Sequence, residues 1–208
     1  MLLDFAISAL LTLFVVVDPI GLVPSFLAVT EGLPLTARRS VALRASIIGG
    51  AILLGAALLG DWLFRTLGIS LPAFRIAGGL LLFSIASEMV FGVRLRRESE
   101  AAEEAVEERA RNVAAFPLAI PLMAGPGAIT ATVLLSGRAD GNASLLGLLI
   151  AVVVLVAIAC FFAFIFARWI SRLLGLTGNI VLSRLLGVLL AALAVQFVVD
   201  GIRAVLAG

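Results

Sequence analysis

Asp18-Pro19-Ile20-Gly21 interrupts the apolar run Phe5–Leu27 near its middle, and Gly125-Pro126-Gly127 interrupts the run Phe116–Leu135 in the same way. Both runs are long enough to cross a bilayer, which takes about 20 apolar residues in helical form. Backbone that leaves the helix at that depth has to face protein or a water-filled cavity. Paired Pro/Gly interruptions in corresponding places of two halves are a sequence pointer to a transport site made of broken helices.

The composition around these breaks is that of a membrane protein. The chain has 208 residues, is 62% hydrophobic and only 13% charged, with a mean hydropathy of +1.23. Soluble domains carry about a quarter charged residues. The first apolar run lacks a basic leader and is followed by further spans, so it reads as a retained helix and not a cleaved signal. There is one cysteine, Cys160, and no histidine, a poor set for zinc or haem ligation or a two-thiol redox relay. All the basic residues are arginines, a mark of genome composition. They flank apolar spans, which points to an anionic leaflet and not to nucleic acid.

Six segments are expected to span the membrane, at roughly 5–28, 41–64, 71–91, 114–136, 144–168 and 179–206. The fold class expected is therefore an all-α membrane protein. Uniformly apolar runs of this length exclude the alternation of a barrel. Eleven arginines fall on the side of the first, third and fifth loops (Arg38, Arg39, Arg44, Arg94, Arg96, Arg97, Arg109, Arg111, Arg168, Arg172 and Arg184). Four (Arg65, Arg75, Arg138 and Arg203) fall on the other. The asymmetry puts the rich side in the cytoplasm and both termini outside it.

The chain also reads as a duplication. A shift of 107 residues superposes Pro19 on Pro126, Trp62 on Trp169, Arg65 on Arg172 and Leu67-Gly68 on Leu174-Gly175. A shift of 109 then superposes Arg75 on Arg184, Gly78 on Gly187, Gly92 on Gly201 and Arg94 on Arg203. The whole is one transmembrane domain: a repeat over 1–93, a charged cytoplasmic linker over 94–112 and a second repeat over 113–208. Arg96/Glu100 and Glu107/Arg111 give the linker helical i,i+4 pairs. Three spans per repeat insert the second upside down relative to the first, the inverted plan of many secondary transporters.

The breaks carry the chemistry. Asp18 reads as the N-cap of a half-helix beginning at Pro19, and Gly125 precedes Pro126 in the same way. Two half-helix N-termini then expose backbone amides that favour an anion. Asp18 makes the first end anionic, whereas Gly125 and Gly127 leave the second bare. Ser25 follows one break, and Thr130 and Thr132 follow the other. The pair suits a small zwitterion, its carboxylate at Gly125–Gly127 and its ammonium, or a coupling Na+ or H+, near Asp18. The expected substrate-binding set is Asp18, Pro19, Gly21, Ser25, Gly125, Pro126, Gly127, Thr130 and Thr132. As simple kinks, the same breaks would carry no chemistry, but an ionisable residue at bilayer depth is by default functional. Glu88 is open to two readings: a proton carrier alongside Asp18, or a side chain that snorkels or pairs with a linker arginine. Gln196 reads as an interhelical hydrogen-bond partner. No metal site and no resident cofactor are expected.

Several ordered blocks carry a family resemblance. They are Asp18-Pro19-Ile20-Gly21 with Pro24, Gly68 through Gly79, Pro117-Leu118-Ala119-Ile120-Pro121 leading into Ala124 through Thr130, Ser183 through Gly187, and Gln196 through Ile202. Together they resemble the MarC family of integral membrane proteins (UPF0056 type), within a wider LysE-like transporter group, over nearly the whole chain. The resemblance implies six spans in a bacterial or archaeal cytoplasmic membrane. Some members resemble small neutral amino-acid transporters for glycine and alanine. Where many members carry Asn after the first DPIG, this chain has Leu22.

The function expected is a secondary transporter of small neutral amino acids that alternates between its two repeats. The alternatives are export of another small metabolite or a cation and, in another class, a non-transporting membrane scaffold. No nucleotide-binding loop is present. With no His, no HExxH and no Ser–Lys pair, hydrolase chemistry is disfavoured, so the chain is not expected to be an enzyme. The expected partners are a zwitterionic substrate and the lipid bilayer, with small-residue faces that permit a homo-oligomer.

Overall fold

The computed structural model describes residues 2–93, 114–139 and 141–207, and every regular element in them is helical. The charged linker expected over 94–112 lies outside the described residues. In chain order the helices are α1 (Leu2–Val17), α2 (Val23–Val29), α3 (Leu35–Leu67), α4 (Leu71–Phe91), α5 (Ala114–Met123), α6 (Pro126–Ala139), α7 (Ala143–Ile165) and α8 (Ala167–Ala207).

Local chemistry sets the ends. Ser70 caps α4 by accepting the Ala73 N–H at 3.3 Å, and Gly92 closes it in the left-handed region at φ 77°. Asn142 starts α7 by accepting the N–H groups of Ser144 and Leu145 at 2.9 and 3.3 Å. Gly68 ends α3 at φ 68°. Its partner in the repeat, Gly175, interrupts α8 with φ 61° and ψ −176°. The α8 segment before Gly175 thus continues α7, as the end of α3 continues its start.

Four helices are long and apolar enough to cross a membrane: Leu35–Gly60 within α3, α4, α7 and Thr177–Leu206 within α8. The bent pair α5–α6, turned by 56°, makes a fifth candidate. At the place of the first expected span stand two shorter helices, α1 and α2, of 16 and 7 residues. The expected span at 179–206 begins earlier, because α8 runs on from Ala167 through the Gly175 break. Leu80, Leu81 and Phe83 on α4, and Leu185, Val188 and Leu189 on α8, are exposed, as a lipid-facing surface requires.

Helix packing relies on small residues. A Cβ on Gly79 of α4 would stand 2.7 Å from the Ala194 carbonyl oxygen of α8, and one on Gly187 of α8 2.9 Å from Met89 Cβ. A Cβ on Gly201 would stand 2.7 Å from Ile76 Cγ1. Low residue numbers of α4 thus meet high numbers of α8, so the two run antiparallel. Their backbones approach closely enough for dispersion contacts to hold them, the main attraction left between helices in lipid. α3 meets α7 where a Cβ on Gly50 would lie 3.1 Å from Ala157 Cβ. These two positions are themselves related by the shift of 107.

Candidate functional site

The first break is built by Asp18. A residue before proline is disfavoured in the right-handed helical region, and Asp is among the few residues that tolerate the left-handed one. Asp18 takes φ 53° and ends α1, its N–H still donating to the Phe14 carbonyl at 2.9 Å. The chain then turns. The Gly21 N–H donates to Asp18 Oδ1 at 3.0 Å, and the Leu22 N–H to the Asp18 carbonyl at 3.1 Å. A Cβ on Gly21 would collide with the Asp18 carboxylate, so only glycine fits there.

This corrects the expected cap. Asp18 is left-handed and not extended, and regular helix resumes at Val23, with Pro24 in its first turn and Leu22 at the cap without a side-chain bond. The physical reason is that the carboxylate caps a tight turn over Pro19–Leu22. Of the backbone amides expected to be open at this end, that of Gly21 is already held by the protein. Asp18, Pro19, Gly21 and Ser25 are all buried.

The second break has another cause. Pro117 and Pro121 lie inside α5, where neither can donate an N–H and each ring crowds the carbonyl four residues back. The helix widens into π geometry, seen in the Ala124 N–H donating to the Ala119 carbonyl at 2.8 Å. A Cβ on Gly125 would run into the Pro121 carbonyl oxygen, so this tight exit requires glycine. α6 begins at Pro126 as expected, its first bond running from the Ile129 N–H to the Gly125 carbonyl at 3.0 Å. Gly125 has no side chain with which to cap the N–H groups of Gly127 and Ala128. Gly127 is buried, Gly125 half-buried and Pro126 exposed.

The two breaks are neighbours. A Cβ on Gly127 would lie 3.5 Å from Val16 Cγ1, two residues before Asp18, and would collide with Ile85 of α4. The end of α1, which leads into the buried Asp18, therefore packs against the first turn of α6, whose N-terminus has no side-chain cap. Cys160 of α7 is fully buried.

The hydroxyls divide. Thr132 is buried, but its Oγ1 donates to the Ala128 carbonyl at 2.7 Å, which commits it to its own helix. Thr130 is buried and turns its methyl toward α4, Cγ2 lying 2.9 Å from where a Cβ of Gly78 would be. Glu88 is half-buried on α4, one turn beyond the Ile85 that touches Gly127. Gln196 departs from its expected role: its amide donates to Asp200 Oδ1 at 2.8 Å within α8, in an exposed position.

The structure adds residues that sequence reasoning missed. A pocket of about 120 Å³ opens beside the first break, between Ile20, Val23 and Pro24 and the α8 residues Ser171, Gly175 and Asn179. Asn179 is buried. One turn on, the buried Ser183 hydroxyl has no hydrogen-bond partner, nor have those of Thr12 on α1 and Ser46 on α3. The signal available was the match of Gly175 to Gly68, which marks a chain break beside Asn179. Among the described residues, no group of three or more His, Cys, Asp or Glu is placed to hold a metal ion.

Residues 3–206 match the family model described as MarC family integral membrane protein. The chain belongs to the MarC family. A UPF0056 membrane protein of Escherichia coli, YhcE, is 38% identical over 199 residues, covering 94% of this chain and 91% of its own length. A UPF0056 membrane protein of Methanocaldococcus jannaschii is 38% identical over 208 residues, 98% of each chain. YvbG of Bacillus subtilis is 32% identical over 204 residues, 98% of this chain and 96% of its own. The MarC protein is thus similar along its full length to bacterial and archaeal membrane proteins. No solved structure matches it.

Proposed function

We propose that this MarC protein is a secondary transporter of small neutral amino acids, glycine- or alanine-like, working by alternating access between two inverted repeats. The observation that carries the reading is the packing of the end of α1 against the first turn of α6, Val16 against Gly127, which brings the two helix breaks near each other. A buried carboxylate at one break and a helix N-terminus without a side-chain cap at the other offer a small zwitterion one partner for each of its charges. A sodium ion or proton at Asp18, with Glu88 as a second carrier, is the proposed coupling ion.

The inverted-repeat reading draws support from contacts that map onto themselves under the shifts. Gly50 and Ala157 are repeat partners and touch each other. The contact of Gly201 with Ile76 has its counterpart near Gly92, where a Cβ would lie 3.9 Å from Arg184. A two-fold axis in the membrane plane requires such self-matching pairs. The proposed setting is the cytoplasmic membrane, with both termini outside.

The test is uptake of labelled glycine and alanine into reconstituted vesicles, with and without sodium or pH gradients. Flux that follows an imposed gradient is expected. Flux indifferent to any gradient identifies a facilitator, and no flux of either amino acid overturns the substrate assignment.

A further inference from the structure

We infer that the pocket walled by Arg38, Arg39 and Arg168 binds the phosphate headgroup of an anionic lipid. The pocket is about 110 Å³ and lies between the start of α3 and the junction of α7 with α8. Its floor is apolar: Phe26 and Phe164 stack with ring centroids 4.7 Å apart and planes 13° from parallel, and Ile165 lies beside them. Among the described residues lining it there is no acidic side chain. Arg38 is anchored by its Nε, which donates to the Leu33 carbonyl at 3.0 Å. That directs its two terminal nitrogens elsewhere. Arg39 and Arg168 are exposed at the pocket wall. Three guanidinium groups over an apolar floor, at the end of the apolar part of α3 that begins at Leu35, match an amphiphile with an anionic phosphate head. Guanidinium grips phosphate through paired N–H bonds.

The repeat supplies an internal control. Shifted by 107 residues, Phe164 and Ile165 become Ala57 and Leu58, and Arg39 becomes Leu146. Those three residues line a second pocket, of about 380 Å³, together with Ser136 and Trp62. The other two arginines correspond to Leu145 and Asp61. The scaffold therefore forms a pocket at both corresponding places, but only one of them carries arginines. Packing does not demand them.

The chain's two tryptophans, Trp62 and Trp169, are also repeat partners: Trp62 lines the second pocket, and Trp169 directly follows Arg168 of the first. The Trp62→Phe variant leaves Trp169, next to Arg168, as the only fluorophore. It is reconstituted in phosphatidylcholine vesicles and titrated with brominated phosphatidylglycerol at raised salt, which screens diffuse surface attraction. Quenching is expected to saturate at a low mole fraction of the anionic lipid. Arg39→Gln with Arg168→Gln is expected to lower the preference for it about tenfold. Arg44→Gln with Arg184→Gln, which removes two arginines that do not line the pocket, is expected to change it by less than about twofold. Arg39→Lys with Arg168→Lys keeps both charges, guards against failed insertion, and is expected to lose about threefold because ammonium cannot grip phosphate bidentately.

Equal losses from the two glutamine pairs, quenching in simple proportion to lipid composition, or an unchanged preference in the lysine variant would overturn the inference. Relief of the quenching by millimolar inorganic phosphate would overturn the lipid as occupant and assign the pocket to the free anion.

Discussion

Asp18 has two separable duties, and three substitutions distinguish them. It holds a left-handed turn at φ 53°, and its Oδ1 accepts the buried Gly21 N–H at 3.0 Å. Alanine loses both: a left-handed residue with a Cβ costs about 1–2 kcal/mol, and an unpaired buried N–H about 1–3 kcal/mol. The sum is about 2–5 kcal/mol. Glycine removes the backbone cost but leaves the amide unpaired, so about 1–3 kcal/mol remains. Asparagine tolerates the turn and keeps an acceptor oxygen, exchanging a charge-assisted bond for a neutral one at about 1 kcal/mol. Thermal unfolding in detergent should therefore rank Asp18→Asn above Asp18→Gly above Asp18→Ala. Uptake by the same proteins in vesicles reads the other duty. Asp18→Asn folds with its turn intact and is expected to transport at least about tenfold more slowly, since the buried charge is gone. An alanine variant as stable as the asparagine one refutes the capping argument. Full transport by Asp18→Asn refutes the role of the charge.

Other substitutions probe the remaining contacts. Gly127→Ala drives a methyl into Ile85 and should cost about 1–3 kcal/mol. Ile85→Val in the same chain should recover most of that, and a failure of the pair to couple in a double-mutant cycle would contradict the α4–α6 contact. Cys160 is fully buried, so a maleimide should label it in denaturant but not in the folded protein in detergent. Gln196→Leu breaks only an exposed bond to Asp200 and should change unfolding stability by no more than about 0.5 kcal/mol. A larger loss would restore the interhelical role expected from the sequence.

Much of the architecture could be read along the chain because lipid leaves little choice. Uniformly apolar runs must be helices, and α4 spans Leu71–Phe91 as its boundaries predict, with Ser70 and Gly92 as caps. Proline supplied the start of α6 at Pro126 by the same local logic. The reading went astray where two local demands competed. At Asp18, the capping preference was clear, but the following proline excluded the helical region and moved the residue to the left-handed one. In α5, Pro117 and Pro121 were visible, yet the π widening that accommodates them depends on carbonyls one turn back. Ser171 and Asn179 were passed over because a polar residue near a span end is ordinary until another element is packed against it.

The sequence by itself determined that this is a helical membrane protein and where its backbone must break. Those outcomes follow from hydropathy and from the fixed φ and missing N–H of proline, which act within a few residues. Only the tertiary structure decided that Val16 meets Gly127, that the Gly21 amide is already held by Asp18, and that three arginines from α3 and α8 share one pocket. Each of these joins residues distant in the chain or sets one bond against another. Which groups end up as partners is settled only when small residues such as Gly79 and Gly187 let the helices close on one another.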